Sequence, residues 1–379
     1  MSRPTYAVTK TYEWHYEHGP IHDEPPERVA PVRLKGQDST GSKLPVAPGA
    51  VREERFFGCP VNSTVGVPSG PLLNSKWVRH YARLGWDILT YKSVRSRERG
   101  CYDLPNLLFL DVDEQLAGAP SSEQVVALQG TPADPRRATW GITFGMPSRA
   151  PDEWQPDVQA AREALEEGQV LIVGVTATPE EGWTEEDVAE DYALCCRLAK
   201  EAGAQVVECN LSCPNVKSAE SYAYTDPELT RLIAERIRAA VPDLPLLLKM
   251  GYYEEAETLR AVMRAVAPYV DGLTLTNGIA KTQVARDGTC AYPEDFRLVS
   301  GVGGWAVRDS SLENLRRAAA IREQEGLDLE FLGCSGIMTP EDAAAYYHAG
   351  ACAVQCATLA MLAPEAVGGL PSRKEVVGG

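Results

Sequence analysis

Apolar residues cluster in short runs, separated by amphipathic segments, from about residue 61 almost to the end of the chain. Eight of these runs are predominantly apolar, as strands of a parallel sheet buried on both faces require. They lie at residues 64–68, 86–91, 169–175, 206–211, 244–250, 272–276, 329–333 and 353–356. A ninth run, at 138–144, falls in the long connection after the second strand, and we interpret it as an inserted excursion.

Three of the intervening segments begin with clear helix-start signals. Thr184 precedes an acidic first turn, which is typical of an N-cap. Asp226 with Pro227, and Thr339 with Pro340, open two further helices in the same way. Repeated strand–helix units without a break predict an α/β fold, a single (β/α)8 TIM barrel, rather than an open doubly wound sheet.

The chain divides into three parts. Residues 1–60 are rich in proline and charge and show no sustained period, which predicts an irregular N-terminal arm across the main domain. Residues 61–364 are predicted to form the barrel. The remaining residues, 365–379, include several glycines, and we expect a flexible tail.

Metal binding is not predicted. His15, His18 and His22 have a metal-like spacing, but Gly19-Pro20 interrupts any helix there, and we interpret the segment as a solvated loop. The ten cysteines include no Cys-x-x-Cys pair. That spacing indicates neither a zinc ribbon nor an iron–sulfur run.

The composition limits the classes of molecule that this protein is expected to bind. Charged residues make up 24% and hydrophobic residues 44% of the 379 residues, as in an ordinary globular protein. A formal charge of −16 disfavours nucleic acid and anionic membranes as partners. No apolar run is long enough to span a bilayer, and no signal-peptide core is present. We therefore expect a cytoplasmic protein with reduced thiols and a small-molecule substrate.

Polar and small residues stand at the C-terminal ends of the predicted strands, where a barrel of this kind has its active site. These residues are Ser69-Gly70, Lys92-Ser93, Asn210 to Asn215, Lys249, Thr276-Asn277-Gly278, Ser335-Gly336 and Ala357-Thr358. Lys92 and Lys249 each end an apolar strand. A buried ammonium group needs an anionic or carbonyl partner, so we favour a functional role over side chains that reach out to solvent.

Residues 206–215 carry the densest set of polar groups. Asn210, Ser212, Cys213 and Asn215 follow an apolar strand and are poor core material, because each would need a buried partner. These ten residues alone also fit a structural loop with one inert cysteine. The glycine-containing ends of the last strands favour chemistry, since together they imply a phosphorylated cofactor.

The strand-end motifs, in this order, resemble those of the dihydroorotate dehydrogenase family over about residues 60–362. They are Val65-Gly-Val-Pro-Ser-Gly70, Tyr91-Lys-Ser93, Asn210-Leu-Ser-Cys-Pro-Asn215, Lys249, Thr276-Asn277 and Cys334-Ser-Gly-Ile337. The Asn-x-Ser-Cys-Pro-Asn element is specific, and its cysteine resembles the soluble class of the family. The missing apolar N-terminal helical pair argues against the membrane-bound, quinone-using class.

The resemblance implies FMN as cofactor, a homodimer and a role in pyrimidine biosynthesis. It implies Cys213 as the base that takes a proton from the substrate, with Lys92 beside the flavin as a second catalytic group. The implied FMN contacts are Ser69, Gly70, Lys92, Ser93, Asn210, Lys249, Thr276, Gly303, Gly304, Ser335, Gly336, Ala357 and Thr358. The implied substrate contacts are Thr143, Phe144, Gly145, Met146, Asn210, Asn215, Asn277 and Gly278.

Two positions depart from the family pattern. Ile142 stands where members that use orotate have an asparagine, and Gly278 stands where a serine is usual. Losing such hydrogen bonds in a buried site costs roughly 1–3 kcal/mol each. The substrate therefore stays open between dihydroorotate and a related cyclic amide or amino-acid-derived compound.

Two other functions remain as alternatives. A dihydrouridine-synthase-like enzyme acting on RNA conflicts with the acidic composition. A flavin-binding subunit without catalysis would not need Cys213. Fumarate, oxygen, a nicotinamide or a partner subunit are all compatible as the electron acceptor.

Overall fold

The computed structural model describes residues 4–21, 54–118, 123–212 and 223–378. Labels number the elements of these ranges in chain order. The helices are α1 Tyr12–His18, α2 Ser75–Leu84, α3 Pro151–Glu163, α4 Glu185–Glu201, α5 Pro227–Ala240, α6 Ala256–Val266, α7 Arg308–Glu325, α8 Pro340–His348, α9 Thr358–Leu362 and α10 Arg373–Val377. The strands are β1 Glu54–Phe56, β2 Cys59–Val61, β3 Val65–Val67, β4 Ile88–Val94, β5 Leu107–Asp111, β6 Gln124–Ala127, β7 Thr139–Ile142, β8 Val170–Val175, β9 Val206–Asn210, β10 Leu246–Met250, β11 Gly272–Leu275, β12 Ile279–Val284, β13 Val299–Gly304, β14 Glu330–Cys334 and β15 Ala353–Gln355.

Eight parallel strands close into a barrel in the order β3-β4-β8-β9-β10-β11-β14-β15, which is their order along the chain. Each strand overlaps one of the eight apolar runs, so the predicted (β/α)8 barrel is confirmed. The predicted helix starts are also confirmed. Thr184 and Thr339 close capping boxes with the third residues of α4 and α8, and Asp226 caps α5.

The barrel interior is layered, because every second residue of a strand faces inward. The lower layers are apolar, and Phe56 of the β1–β2 hairpin packs with them. Their members are Phe56, Val61, Ile88, Val170, Ile172, Val206, Leu247, Leu332 and Ala353. Two positions further along four of these strands stand polar residues, namely Thr90, Glu208, Lys249 and Gln355. Apolar side chains therefore fill the lower layers of the barrel interior and form a plug, and polar side chains form the layer above it, nearer the C-terminal ends of the strands.

A second sheet of five strands stands beside the barrel, in the order β12-β13-β7-β5-β6. The predicted excursion at 138–144 contains β7. The same long connection also contains β5, which pairs with β7, and β6, which pairs with β5. The prediction missed β12 and β13, which form a second insertion after β11. Their partners β6 and β7 lie more than a hundred residues away along the chain, and no local period reveals such pairing.

The predicted irregular arm contains α1, which is capped by Thr11 before its first residue and by Gly19 after its last. His15 is fully buried rather than solvated: its ring stacks on Tyr6 at 3.7 Å between centroids, and its Nε2 lies 2.9 Å from the carbonyl oxygen of Ala7. His18 is exposed, and His22 lies outside the described residues. The four described ranges contain no group of three His, Cys, Asp or Glu side chains placed to hold a metal.

The predicted tail includes α10, and its flexibility stays a prediction, as do the boundaries at residues 60 and 364. Within the same described ranges, no helix combines the length and the apolar character needed to cross a membrane.

Residues 4–21, called here the N-terminal segment, are hydrogen-bonded to two barrel helices, α9 and α2. Thr5 N–H donates to the carbonyl of Met361 at 2.9 Å, and Trp77 Nε1 donates to the carbonyl of His15 at 3.1 Å.

Acidification is expected to loosen the packing of His15. Burial lowers the pKa of His15 below its ordinary value, although the bond to Ala7 acts in the opposite direction. The unfolded chain therefore binds the proton more readily, and stability falls as the pH drops below about 6.5. The measurement is the free energy of unfolding in urea between pH 7.5 and 5.5. His15→Phe, which keeps a ring against Tyr6, should flatten this dependence; an unchanged slope contradicts it.

Candidate active site

A pocket opens at the C-terminal ends of the barrel strands, between the barrel, the second sheet and the N-terminal segment. Its empty space, including the open mouth, is about 1150 Å³. Most of the residues predicted for the site line it together. They are Ser69, Gly70, Lys92, Ser93, Phe144, Met146, Asn210, Lys249, Asn277, Gly278, Gly303, Gly304, Ser335, Gly336, Ala357 and Thr358.

Five predicted site residues are not among the lining residues. Cys213 and Asn215 lie outside the described residues. Thr143 and Gly145 alternate with the lining residues of the same loop, and Thr276 stands behind the pocket. The hydroxyl of Thr276 accepts a hydrogen bond from Asn314 Nδ2 at 2.9 Å, and its carbonyl accepts one from Ser335 Oγ at 2.7 Å. Thr276 therefore supports Ser335 in this structure.

Lys249 enters the pocket floor beside a buried carboxylate. Its Nζ lies 3.7 Å from Glu208 Oε1, and the two side chains are 6% and 1% exposed. Thr274 Oγ1 donates to the other carboxylate oxygen of Glu208 at 2.7 Å. Glu208 was not predicted as a site residue, although an acidic residue inside an apolar strand needs a buried partner by the argument applied to Lys249. This pair fixes an ammonium group at the floor.

Two asparagines form one hydrogen-bonded group at the pocket wall. Asn277 Nδ2 donates to Asn210 Oδ1 at 3.1 Å and to the carbonyl of Ser212 at 3.2 Å. Ser212 Oγ donates to the carbonyl of Lys249 at 2.9 Å. The chain is therefore pinned to β10 at Ser212, the residue before Cys213. Amides held in this way can present donors and acceptors to a planar polar ring.

The opposite end of the pocket is built from small residues. Gly304 and Gly336 have φ values of +95° and +74°, and Ser335 has a φ of +81°. A Cβ at Gly304 would overlap the carbonyl oxygen of Ala138, and one at Gly336 would overlap the backbone of Arg308. Tyr346 donates to the carbonyl of Ser335 at 2.7 Å, so the turn is also braced from behind. Glycine is required at positions 304 and 336, because the neighbouring backbone occupies the space that a Cβ would need.

Two cysteine side chains, those of Cys334 and Cys356, line the pocket. Burial is the main reason why the pKa of Cys334 is raised, with Lys249 opposing and Glu208 reinforcing the change. Burial likewise raises the pKa of Cys356 well above its ordinary value. Both thiols therefore stay protonated near neutral pH, and neither is suited to accept a proton from a substrate.

The lining residues that the sequence prediction did not name as site residues include Gln355 and Tyr6. Gln355 Nε2 donates to Thr90 Oγ1 at 2.7 Å, while its Oε1 is buried and has no hydrogen-bond partner in the described part of the chain. A glutamine inside the apolar run 353–356 was a visible signal. Tyr6 lies in the N-terminal arm, and nothing in its local sequence indicates contact with the pocket.

Comparison with known proteins gives one family. Residues 143–367 match the family model described as dihydroorotate dehydrogenase. A relative from Dictyostelium discoideum named dihydroorotate dehydrogenase is 29% identical over 373 residues, which cover 96% of this chain and 95% of the relative. The catalytic subunit of dihydroorotate dehydrogenase B (NAD(+)) from Staphylococcus carnosus is 26% identical over 50% of this chain and 61% of that protein.

A solved structure supports the fold. The crystal structure of DHODH in complex with ferulenol from Eimeria tenella superposes with a TM-score of 0.64 and covers 86% of this chain and 87% of that one. The sequence identity is 16%, so this likeness concerns the fold alone.

The ion pair on the pocket floor predicts a strong coupling between its two residues. Glu208→Gln or Lys249→Met alone leaves one buried charge without its counter-charge, and each should lower the free energy of unfolding by about 3–5 kcal/mol. The double variant should lose less than the sum, because no charge is left unpaired. Urea unfolding of the four proteins measures the coupling; additivity within about 0.5 kcal/mol would contradict it.

Proposed function

The chain belongs to the dihydroorotate dehydrogenase family, and from this premise we propose that it oxidises dihydroorotate, with Cys213 as the general base. Enzymes of the family are FMN-dependent oxidoreductases that act on a CH–CH bond. The observation that carries the proposal is the meeting of Lys249, Asn210, Asn277 and the turn at Ser335 in one pocket. Their arrangement offers a cation, amides and a backbone cradle at the mouth of one barrel.

The pocket suits FMN in three respects. The turn at Ser335-Gly336, together with Gly304, lines one end of the pocket with backbone that a phosphate can approach closely, because the two glycines carry no side chain. The buried Oε1 of Gln355 is an acceptor that lacks a partner in the described chain, as the N–H of a flavin ring requires. Lys249 is a cation suited to a ring that gains negative charge.

By this proposal, the phosphate contacts are Gly304, Ser335, Gly336, Ala357 and Thr358. The ring contacts would be Ser69, Gly70, Lys92, Ser93, Asn210, Lys249 and Gly303, with Thr276 supporting the phosphate turn. FMN, when bound, supplies the acceptor of the hydride. These assignments follow the sequence prediction, and the common lining of one pocket supports them.

The chain's own part in the reaction is to hold the substrate and take up a proton. The Cys213 thiolate would receive the proton from the carbon next to the substrate carbonyl and become a thiol. The neighbouring C–H bond breaks as hydride leaves with its electron pair, and a C=C bond forms between the two carbons. The raised pKa values of Cys334 and Cys356 support Cys213 over the other two pocket thiols.

Substrate contacts are proposed from Asn210, Asn277 and Gly278, from the loop 143–146, and from Asn215 beyond Ser212. A second candidate substrate, a cyclic amide without the orotate carboxylate, is favoured by Ile142. This side chain lines the pocket where the family pattern has an asparagine. The homodimer, the cytoplasmic location and the role in pyrimidine biosynthesis enter the proposal as predictions from the resemblance.

Replacing the proposed base separates an enzyme from a flavin-binding subunit. Cys213→Ala should retain FMN but slow the anaerobic bleaching of the flavin by dihydroorotate about 10²- to 10⁴-fold, because proton abstraction loses its base. Stopped-flow absorbance measures the rate. Cys59→Ala, at the closed end of the barrel, is the matched control and should bleach like the wild type. A Cys213→Ala protein that bleaches at the wild-type rate rules out the base assignment.

Position 142 is expected to set the choice of substrate. Ile142→Asn adds a hydrogen-bonding amide in the pocket wall and should lower the dihydroorotate KM about tenfold, as one recovered buried hydrogen bond allows. Steady-state kinetics with dihydroorotate measures KM and kcat separately. Ile142→Leu is the matched control and should leave KM within about twofold of the wild type. Equal KM values for the Asn and Leu variants contradict the expectation.

A further inference from the structure

The N-terminal segment, residues 4–21, brings the side chain of Tyr6 to the pocket. Thr5 holds this segment in place: its N–H donates to the carbonyl of Met361 at 2.9 Å, and its hydroxyl lies 2.8 Å from the Tyr81 hydroxyl. Ile21 N–H donates to the Thr5 carbonyl at 2.8 Å and closes the segment on itself. The next residue, Tyr6, lines the pocket beside residues of the barrel and of the second sheet.

The ring of Tyr6 is fixed on three sides. It stacks on His15, with ring centroids 3.7 Å apart, and lies 6.0 Å from the Trp77 ring. On the pocket side it meets Phe144 edge to face, at 6.0 Å and 88°. Aromatic pairs in this arrangement hold each other's orientation. The ring position is therefore determined by packing, independently of any hydrogen bond from its hydroxyl.

The hydroxyl of Tyr6 is buried and has no hydrogen-bond partner in the described part of the chain, while the residue is 5% exposed. Leaving a buried hydroxyl without a partner is costly, so a partner from a bound molecule is the expected remedy. Burial also raises the pKa of Tyr6 far above its ordinary value, with Cys101 and Glu13 reinforcing the change. The group is accordingly a neutral O–H donor.

Part of the pocket wall that Tyr6 shares is apolar. Leu107, Ile142, Phe144 and Met146 all line the pocket, and Phe144 contacts the Tyr6 ring directly. Ile142 offers no hydrogen-bonding group to this part of the wall, and Tyr6 brings a phenol to the same pocket from the N-terminal segment.

We propose that Tyr6 is a substrate-binding residue whose hydroxyl donates a hydrogen bond to a carbonyl or carboxylate oxygen of the cyclic substrate. The assignment rests on the proposed function, because it assumes that the molecule beside Phe144 is the substrate of the flavin reaction. It names a specificity contact from outside the barrel. A substrate with an oxygen acceptor at that edge is preferred over one with a hydrogen or methyl group there.

The test compares Tyr6→Phe with the wild type as FMN-loaded holoenzymes. The variant keeps the ring against His15 and Phe144 and removes only the hydroxyl, so FMN content should be unchanged and Tm should not fall. The Kd for orotate, read from the flavin difference spectrum, should rise about 5- to 30-fold, as the loss of one buried hydrogen bond to a ligand predicts. The KM for dihydroorotate should rise in parallel.

Tyr12→Phe is the matched control. Tyr12 lies in the same segment and also meets Phe144, at 6.4 Å, but it does not line the pocket. Its substitution should leave the orotate Kd within about twofold of the wild type. The proposal is overturned if Tyr6→Phe binds orotate like the wild type, or if both variants weaken binding equally, since the role is then one of packing.

If the wild-type holoenzyme neither binds orotate nor is bleached by dihydroorotate, that result contradicts the proposed function. The Tyr6 assignment is then decided by a second measurement. That measurement is a crystal structure of the FMN-loaded protein. A ligand or ordered solvent atom in the pocket within hydrogen-bond distance of the Tyr6 hydroxyl supports the assignment. A hydroxyl bonded to another residue of the chain overturns it.

Discussion

The pocket depends on the inward-facing layers of the barrel, because they hold the side chains at its base. Below, side chains such as Val206 and Leu247 fill the interior, and Phe56 packs with them. Two residues further along the same strands, Glu208 and Lys249 place opposite charges where solvent is nearly excluded. Such a pair is stable only if both members stay together and hydrogen-bonded. The plug therefore supports a floor that holds a cation in a fixed place, and a ligand-binding pocket above it.

The barrel was predictable because its signals are local. Runs such as 206–211 and 244–250 are predominantly apolar, and caps such as Thr184 mark where helices begin. The strand-end residues were predictable for the same reason, since the register of a parallel barrel brings strand ends together; Lys249 and Asn210, for example, are paired neighbours. Gln355 and Glu208 carried the same signal as Lys249, a polar residue inside an apolar strand.

What the sequence did not reveal depends on long-range contacts. The antiparallel pairing of Gly301 with Ile142 joins segments about 160 residues apart, and no local pattern in either segment indicates its partner. The N-terminal segment is harder still. Residues Tyr12–His18 make a seven-residue helix, too short to be stable alone, and packing against Trp77 and Phe144 supports it.

The pocket wall is built from two kinds of segment, the ends of the barrel strands and the segments packed on the barrel rim, and we propose a different role for each. Lys249 and Ser335, which we propose as flavin contacts, come from barrel strand ends that the core holds in place. Ile142 and Tyr6, which we propose to affect substrate binding, come from an insertion and from the N-terminal segment. Changes in those two segments leave the barrel interior untouched, because they pack on its rim. Substrate choice can therefore shift while the flavin chemistry stays the same, and a departure at position 142 is compatible with an intact cofactor site.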